Sequence, residues 1–173
     1  MKLVLLFLFF ISTVHADEWD CASTTGAFTR SSNCTISGNK HVEVTNTLEI
    51  TGKNNGSDTD MKHLITITAA SKHRHFYLNN ATAKLTLRYV KLVGGDVSSY
   101  SSDPGYDGGS ICIYINGGEL NLYSSIVFNN KGDTGGGISA VGASNTNKNA
   151  IMNIYNSIIQ NNVATPNWGG GIY

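Results

Sequence analysis

Leu120-Asn-Leu122, Val127-Phe-Asn-Asn130 and Gly135-Gly-Gly-Ile138 follow one another within one short stretch, and their order decides the fold. The first is an alternating strand, the second a strand ending in paired asparagines, the third a glycine joint that opens another strand. The succession recurs downstream as Met152-Asn-Ile154, Ile159-Gln-Asn-Asn162 and Gly169-Gly-Gly-Ile172. Upstream it recurs as Leu85-Thr-Leu87 and Gly108-Gly-Ser-Ile111, with Leu92 in the place of Val127. Self-similarity at a period of about 20 to 50 residues, in a chain this rich in short strands, marks a β-solenoid.

Aligning the copies on Leu85, Leu120 and Met152 yields three columns that stay apolar: these residues, then Leu87, Leu122 and Ile154, then Leu92, Val127 and Ile159. Such columns are expected to point inward, while those holding Lys91 and Gln160 point outward, because successive strand residues face opposite ways. An earlier copy begins at Leu48-Glu-Ile50, so the starts are spaced by 37, 35 and 32 residues. Ile65-Thr-Ile67 and Phe76-Tyr-Leu78 supply the other two strands of that copy. Three strands per turn predict an all-β chain, a right-handed parallel β-helix of about three to four coils stacked about 4.8 Å apart.

Residues 17–40 lack the pattern and are expected to cap the first coil, with coils over 41–173. Asn130 and Asn162 suit a repeated sharp corner and can bond one another along the stack. The connections Gly94–Gly109 and Val141–Asn149 are polar and are expected to protrude. The sequence stops just after a corner that opens a strand, which reads as part of a longer solenoid.

Residues 1–16 have the layout of a secretory signal peptide: Lys2, an apolar run from Leu3 to Ile11, and Val14-His15-Ala16 as a small-residue cleavage site. A retained anchor is the alternative, although the run is short for a bilayer. Loss of Lys2 leaves twelve acids against eleven bases, a balance without the long-range field that draws nucleic acid or anionic lipid. An extracellular or cell-surface location follows, with no membrane span in the mature chain. Three sequons, at Asn33, Asn55 and Asn80, fit that route as glycosylation candidates. Cys21 and Cys34 would close a short loop worth roughly 3 kcal/mol in the chain-entropy model, leaving Cys112 as a thiol packed in its strand.

The repeat residues Asn130, Gly136, Gly137 and Ile138, with Asn162, Gly170, Gly171 and Ile172, resemble the repeats of polymorphic outer-membrane-protein-like β-helices. More broadly the chain resembles the right-handed parallel β-helix, or pectin-lyase-like, superfamily. The likeness covers Leu85–Tyr173 well and Leu48–Lys84 weakly, and Gly95 stands where the family pattern has Asn. It implies the fold and leaves activity open, since the fold hosts lyases, hydrolases and adhesive stalks.

Relatives with lyase activity pair an acidic calcium site with a basic residue, and related hydrolases use clustered carboxylates. The acids here are scattered apart from Asp96, Asp103 and Asp107, a weak calcium set whose spacing matches no EF-hand or glycine-rich calcium repeat, with an ordinary solvated loop as the favoured reading. Arg88 is the best single candidate for a base or a carboxylate-binding group, with a plain surface charge as the alternative. His73 and His75 would share a face if extended, and His63 could complete a metal site, but two ligands make a poor one. Tyr123 and Tyr155 occupy equivalent sites and could stack, either to bind a sugar ring or simply to brace neighbouring strands. The sequence therefore predicts a non-catalytic adhesion, recognition or structural protein without a cofactor or metal, whose partners are cell-surface proteins or polysaccharides. The alternative is a polysaccharide lyase or glycoside hydrolase with its active coils incomplete or missing here.

Overall fold

The computed structural model describes residues 17–38, 40–53, 61–99, 107–141 and 149–173. Residues 1–16, read above as a leader, Asn55 and Asp103 lie outside them. Among the described residues the chain is all-β, and every strand pairing is parallel. A six-stranded sheet holds β1 (Asp17–Glu18), β2 (Gly26–Arg30), β5 (Thr47–Gly52), β8 (Lys84–Arg88), β11 (Gly118–Tyr123) and β15 (Ala150–Tyr155) in that order. A second sheet runs from β3 (Cys34–Thr35) through β6 (Ile65–Thr68), β9 (Val90–Val93) and β12 (Ile126–Phe128) to β16 (Ile158–Gln160). A third stacks β4 (Val42–Val44), β7 (Phe76–Leu78), β10 (Ile111–Ile113) and β14 (Ile138–Ala140), and β13 (Lys131–Gly132) pairs with β17 (Val163–Ala164). The chain thus visits the first, second and third sheets in rotation, one circuit after another.

The registers match the apolar columns. Leu48, Leu85, Leu120 and Met152 are successive partners, as are Ile50, Leu87, Leu122 and Ile154. Leu92, Val127 and Ile159 form the corresponding column of the second sheet. Leu85, Leu87, Leu92, Leu120, Leu122 and Val127 are fully buried in one core that also takes Phe76, Ile111 and Ile138. Each such side chain contributes roughly 1.5–3 kcal/mol relative to remaining exposed.

Residues 17–40, expected as a cap, carry strands in the same register: Phe28 pairs with Ile50 and Cys34 with Ile67. Their circuit is shorter, with Gly26 lying 22 residues before its partner Leu48, against 37 between Leu48 and Leu85. Trp19 is fully buried and stacks on Phe76 at 6.0 Å, so this segment closes its end of the core with an aromatic side chain. Cys21 and Cys34 are joined by a disulfide, and Cys112 is buried outside it.

The corners repeat as well. Gly94, Asn129 and Asn161 all have positive φ after the second sheet, and Tyr89, Ser124 and Asn156 do so after the first. One residue on, Asn130 is almost completely buried. Its Oδ1 accepts from the Gly95 N–H at 2.8 Å, and its Nδ2 donates to Asn162 Oδ1 at 2.9 Å and to the Phe128 carbonyl at 3.1 Å. Asn162 continues the ladder by donating to the Val127 carbonyl at 3.0 Å. Gly95 can lack the asparagine because its own backbone N–H is what Asn130 needs. At the glycine joint, a Cβ on Gly135 (φ +59°) would sit 2.3 Å from the Ile138 carbonyl oxygen, so no side chain fits there.

Candidate functional site

Strand alternation that buries Leu85, Leu87, Leu120 and Leu122 turns the residues between them onto the outer face of the six-stranded sheet. Parallel in-register pairing then lines them up as Lys84–Glu119–Ile151, Glu49–Thr86–Asn121–Asn153 and Thr51–Arg88–Tyr123–Tyr155. The last column forms a continuous stack. The Arg88 guanidinium lies 4.0 Å from the centre of the Tyr123 ring, and Tyr123 and Tyr155 stack at 5.0 Å with an interplanar angle of 8°.

Neighbouring columns hold that stack in place. Arg88 Nε donates to Glu49 Oε1 at 3.3 Å. Both side chains are well over a third exposed, so the pair fixes the direction of Arg88 and contributes little to stability. Asn153 Nδ2 donates to Asn121 Oδ1 at 2.9 Å, and Asn121 Nδ2 donates to Glu119 Oε1 at 2.7 Å. Lys84 Nζ reaches the same carboxylate oxygen at 3.0 Å. The Asn121 hydrogen bond, and then the Lys84 ammonium, lower the Glu119 pKa and keep the group charged. The face therefore presents aromatic rings, the partly exposed Asn153 carboxamide and a fixed guanidinium on rungs about 4.8 Å apart, with Asn121 buried beneath as a brace. Those groups suit hydroxyl-rich or carboxylate-bearing rings.

The other candidate residues disperse. Asp96 Oδ1 accepts from the Ser98 backbone N–H at 3.0 Å and its hydroxyl at 2.7 Å, an Asx turn within its own loop. Asp107 is buried and bridged to Thr134, and Asp103 lies outside the described residues. His73 and His75 do not act as a pair. His75 is fully buried, with Nε2 donating to the Ile67 carbonyl at 3.0 Å and Nδ1 accepting from Ser110 Oγ at 3.0 Å. Its carbonyl partners can only accept, which assigns the proton to Nε2. Burial lowers its pKa to about 4. His73 instead faces His41 edge-on at 6.4 Å, and His63 sits on a separate helical turn, Met61–His63. Among the described residues no three His, Cys, Asp or Glu side chains form a group that could hold a metal ion. No helix among them is long and apolar enough to cross a membrane.

Two features escape the sequence reading. Ser125 and Ser157 form a hydroxyl ladder at the corner after the first sheet: Ser125 Oγ accepts from the Val90 N–H at 3.2 Å, and Ser157 Oγ from the Ser125 N–H at 3.1 Å. Their equal distance from Leu120 and Met152 is the signal that would have found them. The second is His41, 5.3 Å from the Tyr77 ring, with Arg74 over the same ring at 5.4 Å. Burial, then the Arg74 charge, lowers the His41 pKa to about 4. His41 also borders a groove of about 330 Å³ lined by Ala22, Ile36, Lys40 and Glu43, which offers one cation and one anion beside an apolar wall.

In comparisons with known proteins, no family model matches the chain, and neither a curated protein nor a solved structure matches it.

Proposed function

We propose that this chain is a secreted right-handed parallel β-helix of the pectin-lyase-like kind, with a non-catalytic role in recognising polysaccharide at a cell surface. The rotation through three parallel sheets, with apolar columns inside and Asn and Ser ladders at the corners, supports the helix. The layout of residues 1–16 supports secretion, and so does the Cys21–Cys34 disulfide, a bond that persists in oxidising compartments. One observation carries the recognition role: the Arg88–Tyr123–Tyr155 stack beside the Asn121–Asn153 ladder, on a face where Tyr155 is 53 % exposed. Stacked rings offer apolar surface to the C–H face of a sugar, and Arg88 adds a cation for an acidic one.

Affinity electrophoresis in gels containing polygalacturonate or a neutral β-glucan tests the reading. Retardation is expected, and Tyr123→Ala with Tyr155→Ala should weaken it at least about tenfold, the loss of roughly one stacking contact of 1.4 kcal/mol. Arg88→Ala should weaken binding to the acidic polymer more than to the neutral one. Unretarded migration of the folded wild-type protein in every gel would sink the proposal. Release of unsaturated uronates, read by their ultraviolet absorbance, would move the assignment to a lyase.

A further inference from the structure

The three sequons are equivalent as sequence, and the fold makes two of them very different. Asn33-Cys-Thr35 is tied into the ladder at every position. Asn33 Oδ1 accepts from the Thr66 N–H of the next circuit at 2.8 Å, and its carbonyl accepts from Arg30 Nη2 at 3.2 Å. Cys34 is held by the disulfide, and Thr35 pairs in register with Thr68. Asn80-Ala-Thr82 sits instead at the exposed corner between β7 and β8. Its hydrogen bonds are largely its own: Asn80 Oδ1 accepts from the Thr82 N–H and from Thr82 Oγ1, each at 3.1 Å, and the Ala83 N–H closes the turn on the Asn80 carbonyl at 2.9 Å. Beyond the turn, Thr82 Oγ1 makes a long contact of 3.4 Å to the Thr45 carbonyl, in the connection between β4 and β5.

We infer that Asn80 is a site of N-linked glycosylation in this chain and that Asn33 is left unmodified; the inference rests on the reading of the protein as secreted. Two donors on Asn80 Oδ1 draw electron density toward oxygen and make the Nδ2 protons more acidic. Asn80 itself is exposed. In the transfer, Nδ2 attacks the anomeric carbon of a lipid-linked diphosphate oligosaccharide. The N–C bond forms, the C–O bond to the diphosphate breaks with its electron pair staying on the diphosphate, and one Nδ2 proton passes to a base of the transferase. Asn33 is exposed as well, but its Oδ1 is committed to the Thr66 N–H of the next circuit and its neighbour Cys34 to the disulfide. Bending this tripeptide into the transferase would strip a backbone partner from Thr66 and distort the pairing next to Cys34.

The test expresses the full chain in eukaryotic secretory cells, once with its own leader and once with residues 1–16 replaced by a proven one. Both carry Asn55→Gln so that the third sequon adds nothing. Enzymatic removal of N-glycans followed by peptide mass mapping reads the Asn-to-Asp conversion that marks an occupied site. Conversion at Asn80 alone is expected; Asn80→Gln and Thr82→Ala should each abolish the glycan-dependent gel shift, and Asn33→Gln should leave it unchanged. An unmodified Asn80 in protein recovered from the medium, or a glycan on Asn33, overturns the inference. If the native-leader chain stays in the cytosol while the other is modified at Asn80, the secretion reading fails and the assignment of Asn80 stands.

Discussion

Ahead of the third sheet, the circuits that reach Ile111 and Ile138 turn on Gly108–Ser110 and Gly135–Gly137, whereas the circuit before them turns on His73-Arg74-His75. One register position therefore holds His75, Ser110 and Gly137 in successive rungs. The glycine corner is closed by backbone alone, with the Gly137 N–H on the Gly170 carbonyl at 3.1 Å. The histidine corner buries a large polar ring, tolerated because both ring nitrogens are bonded, across to β6 and to the next rung. The same backbone path thus accepts either chemistry. What differs is the response to acid: Ser110 and Gly137 put no ionisable group at this register position, while the earlier circuit holds a neutral histidine there.

Breaking the shared core should have the largest effect. Leu122→Asp places an unpaired charge in a fully buried column and should abolish folding, with no cooperative thermal transition by circular dichroism. Ile154→Asp, in the same column but only partly covered, should leave a folded protein with a lowered melting temperature. Equal losses from the two would show that burial does not grade along this column.

The Asn corner should be next. Asn130→Ala leaves the Gly95 N–H without its acceptor and removes the bond to Asn162, at a cost of about 3 kcal/mol in urea unfolding. Asn162→Ala, half-buried and with fewer partners, should cost about 1 kcal/mol. A reversed order would refute the ladder as the source of stability.

A pH dependence sharpens the contrast between the two corners. With the folded-state pKa of His75 near 4 and the unfolded value near 6.5, the unfolded chain binds more protons between those limits. Stability is then fully present above about pH 6.5 and falls as the pH drops toward 4. For His75 this amounts to about 2 kcal/mol between pH 7 and pH 5. Urea midpoints across that range should fall with pH, and His75→Gln should flatten the slope even if it lowers the midpoint. An unchanged slope in the variant would assign the titration elsewhere, with His41 the first alternative.

Much of this architecture was legible because parallel in-register stacking repeats one requirement at one position. Leu85, Leu120 and Met152 answer to the same inward slot, so their spacing alone announces the slot. Asn130 and Asn162 were readable for the same reason. Residues 17–40 were opaque because Gly26 and Ala27 stand opposite Leu48 and Glu49, so the strand β2 shows little apolar alternation to count. The candidate site was half legible: Tyr123 and Tyr155 could be paired by column, yet nothing local said that Arg88 lies over Tyr123 while bonding Glu49.

The sequence by itself determined the strand periodicity, the columns that point inward and the residues that can take a sharp corner, since these depend on neighbours two or a few residues away. The tertiary structure alone decided which rungs touch. It made His75 a core residue rather than a metal ligand, split Asp96 from Asp107, and bonded Asn33 to the next circuit while leaving Asn80 to bond within its own turn. The physical reason is that His75 and Asn33 are settled by partners 8 and 33 residues away, brought within hydrogen-bond distance by the connections between strands, whereas Asp96 and Asn80 are left to bond two residues on.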